Sequence, residues 1–269
     1  MLQYSNDKNL VIGAGELSIL SGINRQVDWA MFNPLANHIE VEQNNRDNNV
    51  HNTSDALWFV HLDYLANKNI RISGSIIADE YQIDKEDREG ASSDFGWFGR
   101  ISYTPYMQSI DKSSNRWMNF PTSTIWLRYV RLNTFTTRHL SGYCNFVSRD
   151  VHLAHQIGND ADLIALGSRF IFDFPLTLEV EFGKQRWGDN NIKHFEDKYK
   201  PFKDYKWSPF PSGEVRKNIF TTIHIETEPH NNVRIWIKGY VDIEAQGKNS
   251  NFERWELGLT YFPKFYFQF

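Results

Sequence analysis

The sequence predicts an all-β fold, an antiparallel up-and-down transmembrane β-barrel with about eleven or twelve strands in this chain. Three observations predict it. Apolar and polar residues alternate with period two over many segments, as they do along a strand whose two faces meet different surroundings. Phe, Tyr and Trp make up 15% of the chain, a level that marks a β-rich core or the aromatic belts of a membrane interface. Short turn-forming connections are mixed with long polar ones, the asymmetry of barrels that have short turns at one end and long loops at the other.

Composition narrows the alternatives. The 269 residues carry a formal net charge of -4, which argues against a nucleic-acid surface, since that needs an excess of Lys and Arg. The single cysteine, Cys144, gives neither an internal disulfide nor a cysteine-based zinc cluster. At 41% hydrophobic residues the chain is too apolar for disorder. Its mean hydropathy of -0.54 is compatible with a barrel, because lipid-facing and lumen-facing residues average out. No run approaches the roughly 18 to 20 apolar residues of a spanning helix. Met1 to Lys8 lack the basic and apolar regions of a signal peptide. The expectation is a cytoplasmic protein, or a mature or truncated form of an exported one. Without repeats or a composition break, residues 1–269 read as one β-barrel domain.

Taken in chain order, Leu10 to Leu20 and Leu57 to Leu65 read as strands on loose alternation. Ile70, Ile72, Gly74, Ile76 and Ala78 then alternate with Arg71, Ser73, Ser75, Ile77 and Asp79. Gly96 to Tyr103, Ser123 to Leu132 and Arg138 to Val147 are further strand candidates. Ile164, Leu166, Phe170 and Phe172 face away from Arg169 and Asp173, and a Phe174-Pro175 link follows. Leu176, Leu178, Val180 and Phe182 alternate with Thr177, Glu179 and Glu181. Ile219 to Glu228 and Val233 to Gln246, joined by Pro229-His230-Asn231-Asn232, read as an antiparallel hairpin. The second of these is the clearest case. Val233, Ile235, Ile237, Gly239, Val241, Ile243 and Ala245 fall on one side, and Arg234, Trp236, Lys238, Tyr240, Asp242, Glu244 and Gln246 on the other. A helix would scatter these isoleucines around its circumference. The long polar connections are Asp84 to Asp94, Gln108 to Thr122 and Asp189 to Arg216.

The last segment, Glu253 to Phe269, places Trp255, Leu257, Leu259, Tyr261, Phe265, Phe267 and Phe269 on one parity. Pro263, which cannot donate a ladder bond, marks a bulge or turn there. A chain ending on spaced aromatics is similar to the assembly signal of bacterial outer-membrane barrels. Phe265, Phe267 and Phe269 are its residues here, and the terminal strand would close the barrel with its aromatic face at the interface.

Four strings extend this likeness: Phe32-Asn33-Pro34-Leu35 with Glu42 to Asn45, Ser75-Ile76-Ile77-Ala78-Asp79-Glu80, His152 through Asp162, and Gly183 through Asn190. In this order, with the terminal Phe, they resemble the capsule-assembly outer-membrane barrels of the Wzi-like family over most of the chain. The resemblance implies a non-enzymatic, lectin-like barrel in the bacterial outer membrane. It implies capsular or exopolysaccharide, outer-membrane lipid and the barrel-assembly machinery as partners. Family members are larger and carry a signal peptide, so the chain resembles a C-terminal portion or a short member. An incomplete barrel leaves two edges open in lipid, which is costly, so such a chain closes with fewer strands or pairs with another chain.

The candidate polysaccharide-binding residues follow from residue type. Arg234 and Lys238 suit acidic sugars, and Trp236 and Tyr240 suit stacking on pyranose rings; ordinary packing of paired lumen charges is the plainer account. Arg186 and Trp187, where a strand opens into the longest loop, are candidates too, beside Asp189 and Asn190 as turn formers. His152, His155, Asp160 and Asp162 contain no recognisable zinc motif; a loop ordered by local hydrogen bonds, with Gly158 supplying a positive φ, accounts for them. Gly13-Ala14-Gly15 lacks the rest of a dinucleotide fingerprint. Ser148 near His152 lacks a third catalytic group, and Cys144 reads as a small apolar strand residue. No cofactor or metal is expected. The alternatives to a glycan-binding barrel are a porin-like channel for small solutes and a soluble sugar-binding β-protein.

Overall fold

The computed structural model describes residues 1–21, 33, 54–80, 94–105, 122–138, 145–148, 151–172, 174–189, 210–230, 233–246 and 253–261. The described elements are all strands: β1 (Leu2–Ser5), β2 (Leu10–Leu20), β3 (Ser54–Asn67), β4 (Ile70–Glu80), β5 (Asp94–Tyr103), β6 (Thr122–Leu132), β7 (Val147–Ser148), β8 (Val151–His152), β9 (Ala161–Ile171), β10 (Leu176–Trp187), β11 (Arg216–His230), β12 (Val233–Gln246) and β13 (Glu253–Tyr261). Eleven of them form one sheet in the order β1-β2-β3-β4-β5-β6-β9-β10-β11-β12-β13, and β7 pairs only with β8. All pairings are antiparallel. The sheet is open, with β1 and β13 at its two ends.

Cross-strand partners lie on the same face, so the register carries the two faces across the whole sheet. One row runs Tyr64, Ile72, Ile101, Leu127, Leu166, Phe182, Thr221 and Val241. On β9 the contrast between faces is direct: Leu163 is 5% and Ala165 2% exposed, whereas Ile164 is 49% and Leu166 56% exposed. The face of Leu163 also carries Leu57, Ile77, Phe98, Val130 and Phe220, which make up two core clusters. On this face side chains meet across an intervening strand. Arg128 of β6 reaches Glu181 of β10, and Gln185 of β10 reaches Tyr240 of β12. Such convergence means that the sheet curves toward this face, here called inner.

Short connections cluster at one end. Asn6 Oδ1 accepts the amides of Lys8, Asn9 and Leu10, and Asn67 Oδ1 those of Asn69 and Ile70; both are side-chain-closed turns. The link after β9 is held by Phe172 N donating to Leu176 O. The connections 21–53, 81–93, 133–160, 188–215 and 247–252 all lie at the other end. Sequence reading placed the polar stretch Gln108 to Thr122 with the long loops. The topology puts the connection 104–121 at the short-turn end instead, because it follows a strand running in the same direction as β3 and β9.

Two more expectations change. Arg138 to Val147 is not one strand: Arg138 closes the turn through Thr136 and Thr137 by donating its amide to Phe135 O, 139–144 are outside the described residues, and only Val147–Ser148 is extended. Its residues fold inward from the sheet, where Phe146 packs with Leu57 and Ile77. The alternation of Val233 to Gln246 ends at a register shift that sets Asp242 opposite Phe220 but Glu244 opposite Ile219, so one residue of β12 is unpaired there. β1, four residues long, was too short to read by period.

The glycines of the sheet answer to rings. On β12 and β13, Trp236 faces Gly258 and Trp255 faces Gly239. A Cβ on Gly258 would lie 2.2 Å from the Trp236 ring, and one on Gly239 2.3 Å from the Trp255 ring. Each ring lies across its neighbour's bare backbone, one on each face, which accounts for a glycine in either series.

Candidate functional site

The inner face supplies the polar groups. Glu181 is 6% exposed and is held by three donors. Arg128 Nε donates to its Oε2 at 2.7 Å, Arg128 Nη2 to its Oε1 at 2.5 Å, and Trp126 Nε1 to its Oε2 at 3.2 Å. Arg100 stands directly opposite Arg128, a like-charge neighbour pair. Its guanidinium stacks 4.3 Å over the Trp126 ring, and the Glu181 carboxylate lies between the two cations' fields. Toward the short-turn end Arg169 pairs with Glu179, and Arg71 with Asp63. Arg128, Arg169 and Arg71 are thus each paired with a carboxylate on another strand.

The connection 133–160 folds onto this face. Ile157 packs with Val130, Leu163, Ala165 and Phe220, and the His155 ring lies 5.6 Å from that of Phe98. Burial pushes the His155 imidazole down to about 4, the nearby Arg128 cation adds to this, and Glu181 opposes it. His155 is thus neutral at pH 7, and its Nδ1 accepts the Ile157 amide at 3.1 Å.

At the long-loop end a knot forms around Asp160, which is fully buried. Its carboxylate accepts from Thr134 Oγ1 at 2.9 Å, Ser212 N at 2.9 Å and Ser212 Oγ at 2.5 Å. Its carbonyl accepts Gly188 N at 2.8 Å. Gly158 has φ +80°, the left-handed geometry its position in the sequence suggested, and Asp160 itself has φ +53°. In the string His152 through Asp162, His152 ends β8, Leu153 to Asp160 is a hydrogen-bonded loop, and Ala161 and Asp162 belong to β9. Among the described residues no group of three or more His, Cys, Asp or Glu could hold a metal ion.

The sequence-predicted binding residues are divided by the structure. Arg234, Trp236, Lys238 and Tyr240 share the inner face of β12. Arg234 is paired with Glu228 at 2.6 Å and Glu226 at 3.6 Å. Trp236 meets His224 edge-on at 6.2 Å, and Lys238 lies opposite His224 and Glu256. Tyr240 stacks on Phe220 at 5.7 Å; its hydroxyl accepts from Gln185 Nε2 at 2.5 Å and donates to Asp242 Oδ1 at 2.7 Å. Arg186 and Trp187 point to opposite faces. Trp187 faces inward and donates Nε1–H to Ile157 O at 3.2 Å. Arg186 faces outward and forks onto Asp162 through Nε at 2.8 Å and through Nη2. Phe265, Phe267 and Phe269 lie outside the described residues, as do Cys144 and the string Glu42 to Asn45.

Sequence reading did not single out Trp126, Arg128, Glu181 or Arg100, and it weighed His155 only as a metal ligand. Glu181 was placed on the polar parity of its strand, but its partner is 53 positions away. Comparison with protein-family models and with curated proteins finds no match to this chain.

Proposed function

We propose that this chain forms the wall of a bacterial outer-membrane β-barrel that holds surface polysaccharide on its inner face without transforming it. One observation carries the membrane reading: the strands of the main sheet turn a mainly apolar series outward, and it is exposed or half-buried rather than packed in a core. Leu257 at 74%, Leu259 at 69% and Phe182 at 52% exposure each forgo about 1 kcal/mol in water that a hydrocarbon surround restores. Among the described residues no second sheet covers this surface, the other face carries ion pairs, and exposed apolar area on this scale marks contact with a partner or a membrane.

Aromatic placement supports the same reading. Outward Trp and Tyr stand six positions apart on three strands, as Trp58 and Tyr64, Trp97 and Tyr103, and Trp255 and Tyr261. Six residues span about 20 Å of strand, and the intervening outward residues are apolar or Gly. Two aromatic rows flanking an apolar band are what a bilayer selects. The stagger fits as well. A row starting at Trp255 near the long-loop end of β13 passes through Gly239, Ile223, Val180, Ser168 and Ile125 to Tyr103 at the short-turn end of β5. Barrel closure requires a steady stagger of this kind.

The glycan role rests on the inner face and on the strings that resemble those of the Wzi-like family. Trp236 and Trp187 supply ring faces, and Arg100, Lys238 and Arg234 supply cations. The packed connection 133–160 occupies part of this face, which favours retention over free passage of solutes. In detergent-solubilised protein, Trp236→Ala is expected to weaken retention of capsular polysaccharide about tenfold while heat-modifiable gel mobility is preserved. Unchanged retention removes the glycan site. A steady open conductance in planar bilayers replaces it with the channel reading.

A further inference from the structure

The outward face also carries charge, and on the described strands its cations gather in one place, whereas Glu16 and Glu253 stand apart on β2 and β13. At the long-loop margin of the apolar band the register sets Trp97, Arg131, Asp162, Arg186 and Lys217 side by side on β5, β6, β9, β10 and β11. Lys184 stands one outward position below Arg186, beside Ile164 and Ile219. On these five strands the patch holds four cations and one carboxylate, and the register sets a second carboxylate residue, Glu244 of β12, opposite Ile219 at its border. Asp162 is spent on Arg186, which forks onto it. Arg131 is fixed between two rings, 5.3 Å from Trp97 and 3.8 Å from Phe210, and its Nε donates to Asn133 Oδ1. Lys184 and Lys217 are exposed, and among the described residues neither makes an ion pair. Just below the patch the outward residues are Tyr129, Ile164, Leu166 and Phe182, all exposed. Sequence reading assigned Arg186 to the sugar site, yet it faces this outer surface.

We infer that this patch docks the phosphoryl groups of an outer-leaflet glycolipid, a lipopolysaccharide, whose acyl chains lie along the apolar band beneath. The inference rests on the membrane reading and goes beyond it. Charge complementarity carries it: two free ammonium groups and an anchored guanidinium sit where a lipid headgroup meets the end of its chains, and all face away from the inner surface. Cations just outside a hydrocarbon band each contribute about 1 kcal/mol toward anionic lipid. Arg131 and Arg186, already oriented by rings and a carboxylate, lose little entropy on binding.

The test uses the full chain, first inserted in neutral phosphatidylcholine vesicles, with insertion scored by heat-modifiable mobility. Binding is then compared for a bisphosphorylated lipid A, the same lipid after phosphatase treatment, and inorganic phosphate. We expect the phosphorylated lipid to bind about tenfold or more tightly than the dephosphorylated one, and inorganic phosphate not to displace it. Lys184→Gln combined with Lys217→Gln is expected to cut that binding by a similar factor. Lys8→Gln with Lys68→Gln, an equal charge change at the short-turn end, is expected to leave it unchanged. Equal binding of the two lipids overturns the inference, as does displacement by inorganic phosphate or equal loss in the control pair. If the lysine variant fails to insert, the comparison of the two lipids on the unaltered chain still decides. Failure of the unaltered chain to insert overturns the membrane reading itself, and is seen before any lipid is added.

Discussion

At the scale of single residues, His155 makes a measurable commitment. Its ring sits against Phe98 of β5, with Arg128 of β6 and Glu181 of β10 as the charged groups facing it. Released from the inner face, the imidazole titrates near 6.5, while docked it is held near 4. The released state therefore binds the proton first as pH falls. Docking stability is complete above about pH 6.5, is lost as pH drops toward 4, and levels off below. The loss is on the order of 3 kcal/mol. Trp187, which donates to Ile157 two residues away, reports the event: its fluorescence is expected to change between pH 6.5 and 4 in the native protein and to stay flat in His155→Phe. A flat profile in the native protein refutes the docking role. Composition and spacing could not reveal this residue. His155 was one of two histidines in a string that lacked a metal motif, and its surroundings come from strands that are distant in sequence. The Arg128–Glu181 pair was hidden for the same reason. Parity showed that Glu181 lies on a polar face but not which strand lies two places over.

Strands were legible because their information is local. In β4, β10, β11 and most of β12 the face of each residue follows from its parity, and the register agrees with it. The break at Glu244 was not legible, since a bulge depends on what the neighbouring strand does. Connections were the least legible elements. The stretch His152 through Asp160 could be read as a loop ordered by hydrogen bonds, but not as a tie between two connections, 133–160 and 188–215. Asp160 bonds to Thr134, to Gly188 and to Ser212, one residue from each of the segments 133–160, 188–189 and 210–215. Replacing it leaves buried donors without an acceptor and asks a new residue to adopt φ +53°. Asp160→Ala is expected to cost about 2 to 4 kcal/mol by urea unfolding and to speed hydrogen exchange at the Ser212 amide. Asp160→Asn keeps an acceptor and a side chain tolerant of this φ, so it should retain part of the loss. Equal stability of the alanine variant and the parent contradicts the tie.

At the scale of the whole molecule, the question is what covers the outward face. The alternation in β9 and β12 fixed which residues point outward, but period two is the same whether the apolar side meets a second sheet or lipid. The assembled sheet, a single layer among the described residues with ion pairs on its inner side, supports the proposed lipid contact, and a measurement has to separate the two. Leu166 decides between them experimentally. It lies in the middle of the outward band, between Leu127 and Phe182, and is 56% exposed. In water, exchanging an exposed leucine for lysine costs within about 0.5 kcal/mol. At the middle of a bilayer it costs about 2 to 4 kcal/mol, falling toward zero at the interfaces. Leu166→Lys should therefore destabilise the chain by that larger amount in lipid vesicles, whereas Lys184→Leu, at the margin of the band, should be close to neutral. The ratio of the two effects matters more than either alone, because packing losses act on both sites and depth acts on only one. Matching small effects at both positions would mean that the outward face meets water, and the membrane wall, its glycan and its lipid would go together.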